Sequence, residues 1–394
     1  MSVYLYLQNT MITKSNFTNK AITTIHDNLL ADLYSLTLDT VYYENIDGEP
    51  YLINETSGRG YHIGLQVKIP VDMLTFDNKV LDYKDLSTKE QNVIIKALKE
   101  RLFFSNAEIL MSNILLDKFL NKSNIFDISF LEIESHYRKN NSSKRVQISN
   151  YNYKRYINVI NKLASKEVFI KTTGKFRKNK YSVNNLSFQQ PFLILFDYCR
   201  NGKNNILFSY SFDRFGDVLK LSERLSNGVP PSAYSCRLNQ CKLHSVYYFL
   251  GREVFVRKGM LLKHPRLESY KYFRLDIKKL MREVHYENTN GEVNGYSFAT
   301  IMDGYNSQPN KFRTYKLFIK YILIALKEMK NNHIIYDYEE KYNYTETDNF
   351  VEKYQDDYLG DNLKLVHLFS VNEIGPDVDI EITIYLEPVE FKMS

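Results

Sequence analysis

The densest concentration of usable side-chain chemistry in this chain is cationic. Between Arg138 and Lys180, thirteen Lys or Arg residues stand against one acidic residue, Glu167. Within that stretch Tyr151, Lys154, Arg155, Asn158 and Lys162 recur at helical spacing, followed closely by Lys171, Thr173, Lys175, Arg177, Lys178 and Lys180. Lysine and arginine bind phosphate oxygens and release counterions in doing so. Arginine and asparagine can also pair in bidentate fashion with guanine and adenine edges. An ordinary solvated face accounts for many basic blocks. One this dense is self-repelling unless a polyanion relieves it, and nucleic acid is the leading candidate. An anionic membrane fits less well, because the block is not one amphipathic helix with a continuous apolar face.

The remaining charge is segregated too. Residues 252–282 hold ten basic and three acidic residues, and residues 337–394 hold fifteen acidic residues and four lysines. The total of +6 over 394 residues conceals this pattern. A second candidate contact set, Lys311, Arg313, Lys316 and Lys320, decorates an apolar stretch at 311–330.

The elements that position these residues follow from periodicity. In residues 106–121, Ile109, Leu110, Ile114, Leu116, Phe119 and Leu120 fall near a helical period. Ser129 with Glu132 has the spacing of a capping box and predicts a short helix to about Lys139. Asn150 predicts the cap of a third helix. Its Tyr153, Tyr156, Ile157, Ile160, Leu163 and Ala164 gather on one side, with the basic residues on the other. A short strand, a basic turn over Thr173–Lys180 and a strand from Tyr181 follow. Three helices, a strand, a basic turn and a strand is the order of a winged helix, which lays its third helix in the major groove and its wing on the backbone.

A similar order recurs downstream. Residues 232–256 read as a helix running into a short extended segment, and Leu275, Ile277, Leu280, Met281 and Val284 mark a short helix. Residues 311–330 form the best helical pattern, then comes a strand with a charged turn. A last strand is expected in 365–371 or 380–391. Residue identities do not repeat, so only the element order recurs.

In this order the chain resembles the initiators of iteron-type, theta-replicating plasmids (the RepA, RepE and π type), which are two tandem winged helices. The carrying phrases are YKRYINVINKLASKEVFIKTTGKFRKNKYSVNN in the first unit, and FRLDIKKLMREV with TYKLFIKYILIALKEMKNNHIIYDYEE in the second. The first unit is also similar to the winged helix of RepL-type replication proteins. The resemblance covers roughly residues 100–345. It implies an origin-binding protein for double-stranded DNA repeats, with host helicase-loading proteins as partners and a homodimer as one state. The 1–100 lead-in is longer than the family's, and the second wing, DYEEKYNYTETD, is acidic.

The expected fold is α+β. Two tandem winged-helix domains, at 101–190 and 231–345, are joined by a linker at 191–230. An N-terminal α/β extension covers 1–100, and an acidic β-rich segment covers 346–394. No catalytic step, cofactor or metal is expected. There is no G-x-x-x-x-G-K-[ST] motif, the eight histidines are isolated, and no His is followed three residues on by Arg. Cys199, Cys236, Cys241 and His244 have irregular spacing for zinc, and buried cysteines with a surface histidine are the expected alternative. Asp377, Asp379 and Glu381, with the Glu390–Lys392 triplet, leave a metal-dependent nuclease as an alternative from another class. A transcription or partition regulator is the alternative on the same scaffold. Three cysteines fit a reducing compartment. No signal peptide is expected at the N-terminus, and the longest apolar run, residues 317–326, contains Lys320. A cytoplasmic protein that does not enter a membrane is therefore expected.

Overall fold

A computed structural model describes residues 22–26, 28–58, 60–76, 79–121, 126–129, 133, 150–172, 175–178, 181–184, 187–200, 206–220, 225–229, 241–283, 309–344 and 378–389. The fold is α+β with antiparallel sheets. It divides into two compact units, residues 16–245 and residues 246–394 together with 1–15. Among the described residues, no helix is long and apolar enough to cross a membrane.

The larger unit is organised around a five-stranded sheet. Strands β2 (Val41–Ile46), β3 (Glu49–Gly58) and β4 (Tyr61–Lys68) run consecutively. The β2–β3 hairpin turns on Asp47 and Gly48, with φ of 53° and 84°. Positive φ at both central residues is what a tight hairpin of this hand requires, and Asp-Gly accepts it. Strand β8 (Glu167–Thr172) pairs with β4, and β11 (Ser187–Pro191) pairs with β8 on its other side. The sheet order is β11-β8-β4-β3-β2. Residues 41–68 are therefore part of the same sheet as the strands of the first basic unit rather than a separate extension.

One helix packs on strands β3 and β4 of this sheet, and a second follows it. Helix α2 (Thr88–Leu102) opens with a Ser87/Glu90 capping box and buries Ile94, Leu98 and Leu102 at four-residue spacing. Those three pack with Leu52, Val67, Ile69, Leu74, Tyr83 and Leu86. Helix α3 (Asn106–Asn121) has a second cap, in which the Ser105 amide donates to Glu108 Oε2 at 2.8 Å. Ile109 to Leu116 are all buried on α3, polar Ser112 and Asn113 included, so the helix is enclosed rather than one-sided. Helix α1 (Asn28–Tyr34) belongs to the same core, where the Tyr34 hydroxyl bonds Ser112 Oγ at 2.7 Å.

Residues 191–230 are not a linker. They contain β12 (Ile194–Arg200), β13 (Ile206–Ser211), α5 (Asp213–Lys220) and β14 (Leu225–Val229). Strand β13 lies between β12 and β7 (Phe126–Ser129), and β14 pairs with β1 (Ile22–His26). The physical reason is aromatic. Phe192, Phe208, Tyr210, Phe212 and Phe215 are all buried, with Phe192 5.4 Å from Phe212 in an edge-to-face contact. Of the helix expected over 129–139, Ser129 closes strand β7, and all of its other residues except Ile133 lie outside the described ones.

The smaller unit runs α6 (Cys241–Lys263, whose first turn precedes the unit boundary), β15 (Tyr272–Arg274), α7 (Ile277–Glu283), α8 (Pro309–Asn331), β16 (Asp337–Tyr344) and β17 (Val378–Tyr385). Helix α6 continues to Lys263, through the segment expected to become extended. Its sheet order is β15-β17-β16, so the last strand lies in the middle. Ile380, Ile382, Ile384 and Leu386 are buried at every second position, and Phe318, Ile322, Leu326 and Met329 of α8 are buried in the same unit. The segment 346–394 therefore supplies the central strand of this unit, at the second of the two positions expected for it.

Candidate nucleic-acid interface

Helix α4 (Asn150–Ala164) carries the first set of candidate contacts. Tyr156, Val159, Ile160 and Leu163 are buried, while Lys154, Asn158 and Asn161 are exposed. Lys154 and Asn158 are one turn apart and share a face. Asn161 extends that face by another turn; its spacing from Asn158 is visible in the sequence, yet it is not among the expected contacts. Arg155 is half-buried, and Tyr151 lies on the helix with its side chain outside the described residues.

Lys162 is turned elsewhere. Its ammonium bonds Glu100 Oε1 on α2 at 2.7 Å. Lys166, another member of the basic block, is fully buried beside Glu108 at 3.0 Å. The block is therefore less uniformly a surface than its sequence suggests.

Beyond α4 the chain forms a two-stranded ribbon. Its strands are β9 (Lys175–Lys178), which follows β8 in sequence, and β10 (Tyr181–Asn184), which precedes β11. Within the ribbon Lys175 pairs with Asn184, Phe176 with Val183, Arg177 with Ser182 and Lys178 with Tyr181. Alternation along a strand then puts Lys175, Arg177, Ser182 and Asn184 on one face. Phe176, Lys178, Tyr181 and Val183 take the other. The expected basic turn is thus largely strand, and its two faces differ. Thr173 and Lys180 lie outside the described residues. Lys171 is exposed on β8, its ammonium 5.5 Å from the centre of the Phe169 ring.

In the smaller unit, Lys311, Arg313 and Lys316 lie on the first turns of α8, and Lys320 and Lys327 are exposed further along. At 100° per residue Arg313, Lys316, Lys320 and Lys327 fall on one stripe of the helix, whereas Lys311 falls on the opposite side. The strand over the expected acidic wing is half regular. DYEEKYNY forms β16, and the rest lies outside the described residues.

Groups considered for other chemistry are differently disposed. His244, expected at the surface, is 1% exposed and bonds Asn113 Nδ2 through Nε2 at 2.9 Å. Burial pushes its pKa down to about 3. The reason is its place on a stretch of α6 where every residue from Leu243 to Leu250 is buried, so that no side of the helix is open there. Among the described residues no group of three His, Cys, Asp or Glu side chains could hold a metal ion. Cys236, Asp377 and Glu390–Lys392 lie outside them. Glu381 is engaged by Arg274 at 3.0 Å.

The arrangement can offer an exposed Lys/Asn helix face, a basic ribbon face and a basic helix stripe. No family model, curated protein or solved structure matches the chain.

Proposed function

We propose that the protein is a sequence-specific double-stranded DNA-binding protein that initiates replication of a plasmid or related element, built on two winged-helix units. The main support is the smaller unit. Among the described residues its elements run helix, strand, helix, helix, strand, strand, with the last strand between the first two, and this is the order that the winged-helix reading expects. On this reading α8 is the helix laid in the major groove. In the larger unit α4 takes the same role, with the β9–β10 ribbon as wing. That unit departs from the simple form, because β8 pairs with β4 and β7 pairs with β13. Strands β2 to β4 thereby share a sheet with β8 and β11, the strands that flank the ribbon in sequence.

In the larger unit, Lys154 and Asn158 supply base or phosphate contacts, and Lys175 and Arg177 supply phosphate contacts. Repeated sites in origin DNA are the substrate, and host helicase-loading proteins are the partners.

The experiment is binding of the full chain to duplexes tiled across the DNA flanking its own gene. A few tiles should bind far more tightly than the rest, and Lys154→Ala/Asn158→Ala should erase that difference. Uniform weak binding to every tile would sink sequence-specific recognition. A plasmid dependent on the gene then separates initiation from repression: initiation requires that the plasmid be maintained only when the gene is intact.

A further inference from the structure

We propose that the loop after α6, residues 263–271, is a contact for the phosphate backbone of double-stranded DNA in addition to α8. The proposal rests on the DNA-binding reading above and adds a surface to it.

Five of the ten basic residues of the 252–282 block are paired with carboxylates within the fold. Arg252 faces Glu283 at 3.8 Å, Arg257 and Lys279 both reach Glu253 at 2.9 and 3.3 Å, and Lys271 bonds Glu268 at 2.9 Å. Arg274 is held by Glu381 at 3.0 Å. Lys263 and Arg266 differ. Both are exposed, and among the described residues no carboxylate pairs with either. His264 is exposed between them. The three line a depression of about 260 Å³ together with Pro265 and Leu267.

The loop is built rather than slack. The His264 amide donates to Met260 O at 3.0 Å, Leu267 N to His264 O at 3.1 Å and Tyr270 N to Leu267 O at 3.0 Å. Leu386 N donates to Lys271 O at 2.7 Å, tying the loop to the end of β17. The His264 ring lies against Tyr270, with centroids 5.5 Å apart and planes 25° from parallel. The C-terminal dipole of α6 accounts for a cation at Lys263, in its last turn. It does not account for Arg266, which lies beyond the helix.

Strand register places the loop. Tyr385 pairs with Tyr272 and with Asp337 at one end of the sheet, and Val378 pairs with Tyr344 at the other. The loop enters the sheet at the first of these ends. Phosphates fit this surface better than an acidic protein segment, since a protein interface needs an apolar centre and Leu267 is the one aliphatic side chain in the depression apart from the Pro265 ring.

The test is anisotropy of a mixed-sequence duplex with the full chain over a salt series. Lys263→Ala/Arg266→Ala should lower the log–log salt slope by about 2, near 0.9 for each lost phosphate contact. Lys89→Ala/Lys96→Ala removes the same charge from exposed positions on α2 and should leave the slope nearly unchanged. A loop variant with the wild-type slope overturns this proposal alone. So does a loop variant that keeps duplex binding but loses binding to polyglutamate, which would assign the loop to an acidic protein. A wild-type chain that binds no duplex overturns the proposed function itself. Both substitutions lie at exposed positions, so an unchanged thermal midpoint confirms that each variant is folded.

Discussion

Lys166 and Glu108 form an ion pair at 3.0 Å with side chains 0% and 4% exposed. The same ammonium donates to the carbonyls of Glu100 and, at 2.7 Å, of Phe103, closing the C-terminal end of α2. Burial pulls the Lys166 pKa down, and the Glu108 carboxylate opposes that shift. One cation of the basic block is thus the junction between α2, α3 and the start of β8.

Removing that cation leaves a buried carboxylate and two helix-end carbonyls without their donor. Lys166→Met should destabilise the larger unit by about 3–5 kcal/mol, measured from urea midpoints. Adding Glu108→Gln should recover part of the loss, because glutamine keeps an acceptor for Ser105 and removes the stranded charge.

His244 makes acid stability testable. Unfolded, its imidazole titrates near the ordinary 6.5, and folded it titrates at about 3. Between those values the unfolded chain binds more protons, so this contribution to stability is full above about pH 6.5 and falls as pH drops toward 3. His244→Gln should lose that contribution, and its stability should decline less steeply over this range. Parallel wild-type and variant curves would show that His244 is not buried in its neutral form.

Two glycines should respond with opposite sign. A Cβ on Gly64 of β4 would stand 2.4 Å from the Asn54 carbonyl oxygen and 2.8 Å from the Phe169 ring, so Gly64→Ala should cost about 1–3 kcal/mol. Gly259, inside α6, has nothing within 4 Å of the point where a Cβ would stand, so Gly259→Ala should stabilise by about 0.5–1 kcal/mol through helix propensity. Thermal midpoints of the two variants give both signs.

The ribbon's two faces should be distinguishable in DNA binding. Lys175→Ser/Arg177→Ser removes both cations from one face and should flatten the salt slope by about 2. Lys178→Ser, on the other face, should change it much less. Equal slope changes per charge would mean that the ribbon attracts DNA through its net charge without presenting one face.

Local pattern is legible wherever one element faces one environment. Helix α4 is half-buried, and the apolar stripe of Tyr156, Ile160 and Leu163 already separates from Lys154 and Asn158 in sequence. Helix α8 and the alternation at Ile380, Ile382 and Ile384 are legible for the same reason. Helix α3 is less so, because an element enclosed on nearly all sides has little amphipathic contrast to read. The aromatic strands of 191–230 escape a sequence reading because their short apolar runs lack the charge and helix signals that mark their neighbours.

By itself the sequence determined the charge segregation, the helices with one polar face and the helix followed by a strand after Asn150. Only tertiary structure decided that Lys166 is a core residue, that Lys162 turns to Glu100 and that β4 joins β8. It also decided that β17 returns to the centre of its sheet, and that Lys263 and Arg266 stand apart from the ion pairs around them. The reason is common to all of these. Charge and periodicity are properties of neighbouring residues along the chain, whereas burial, ion pairing and strand partnership depend on residues tens of positions away that packing alone brings into contact.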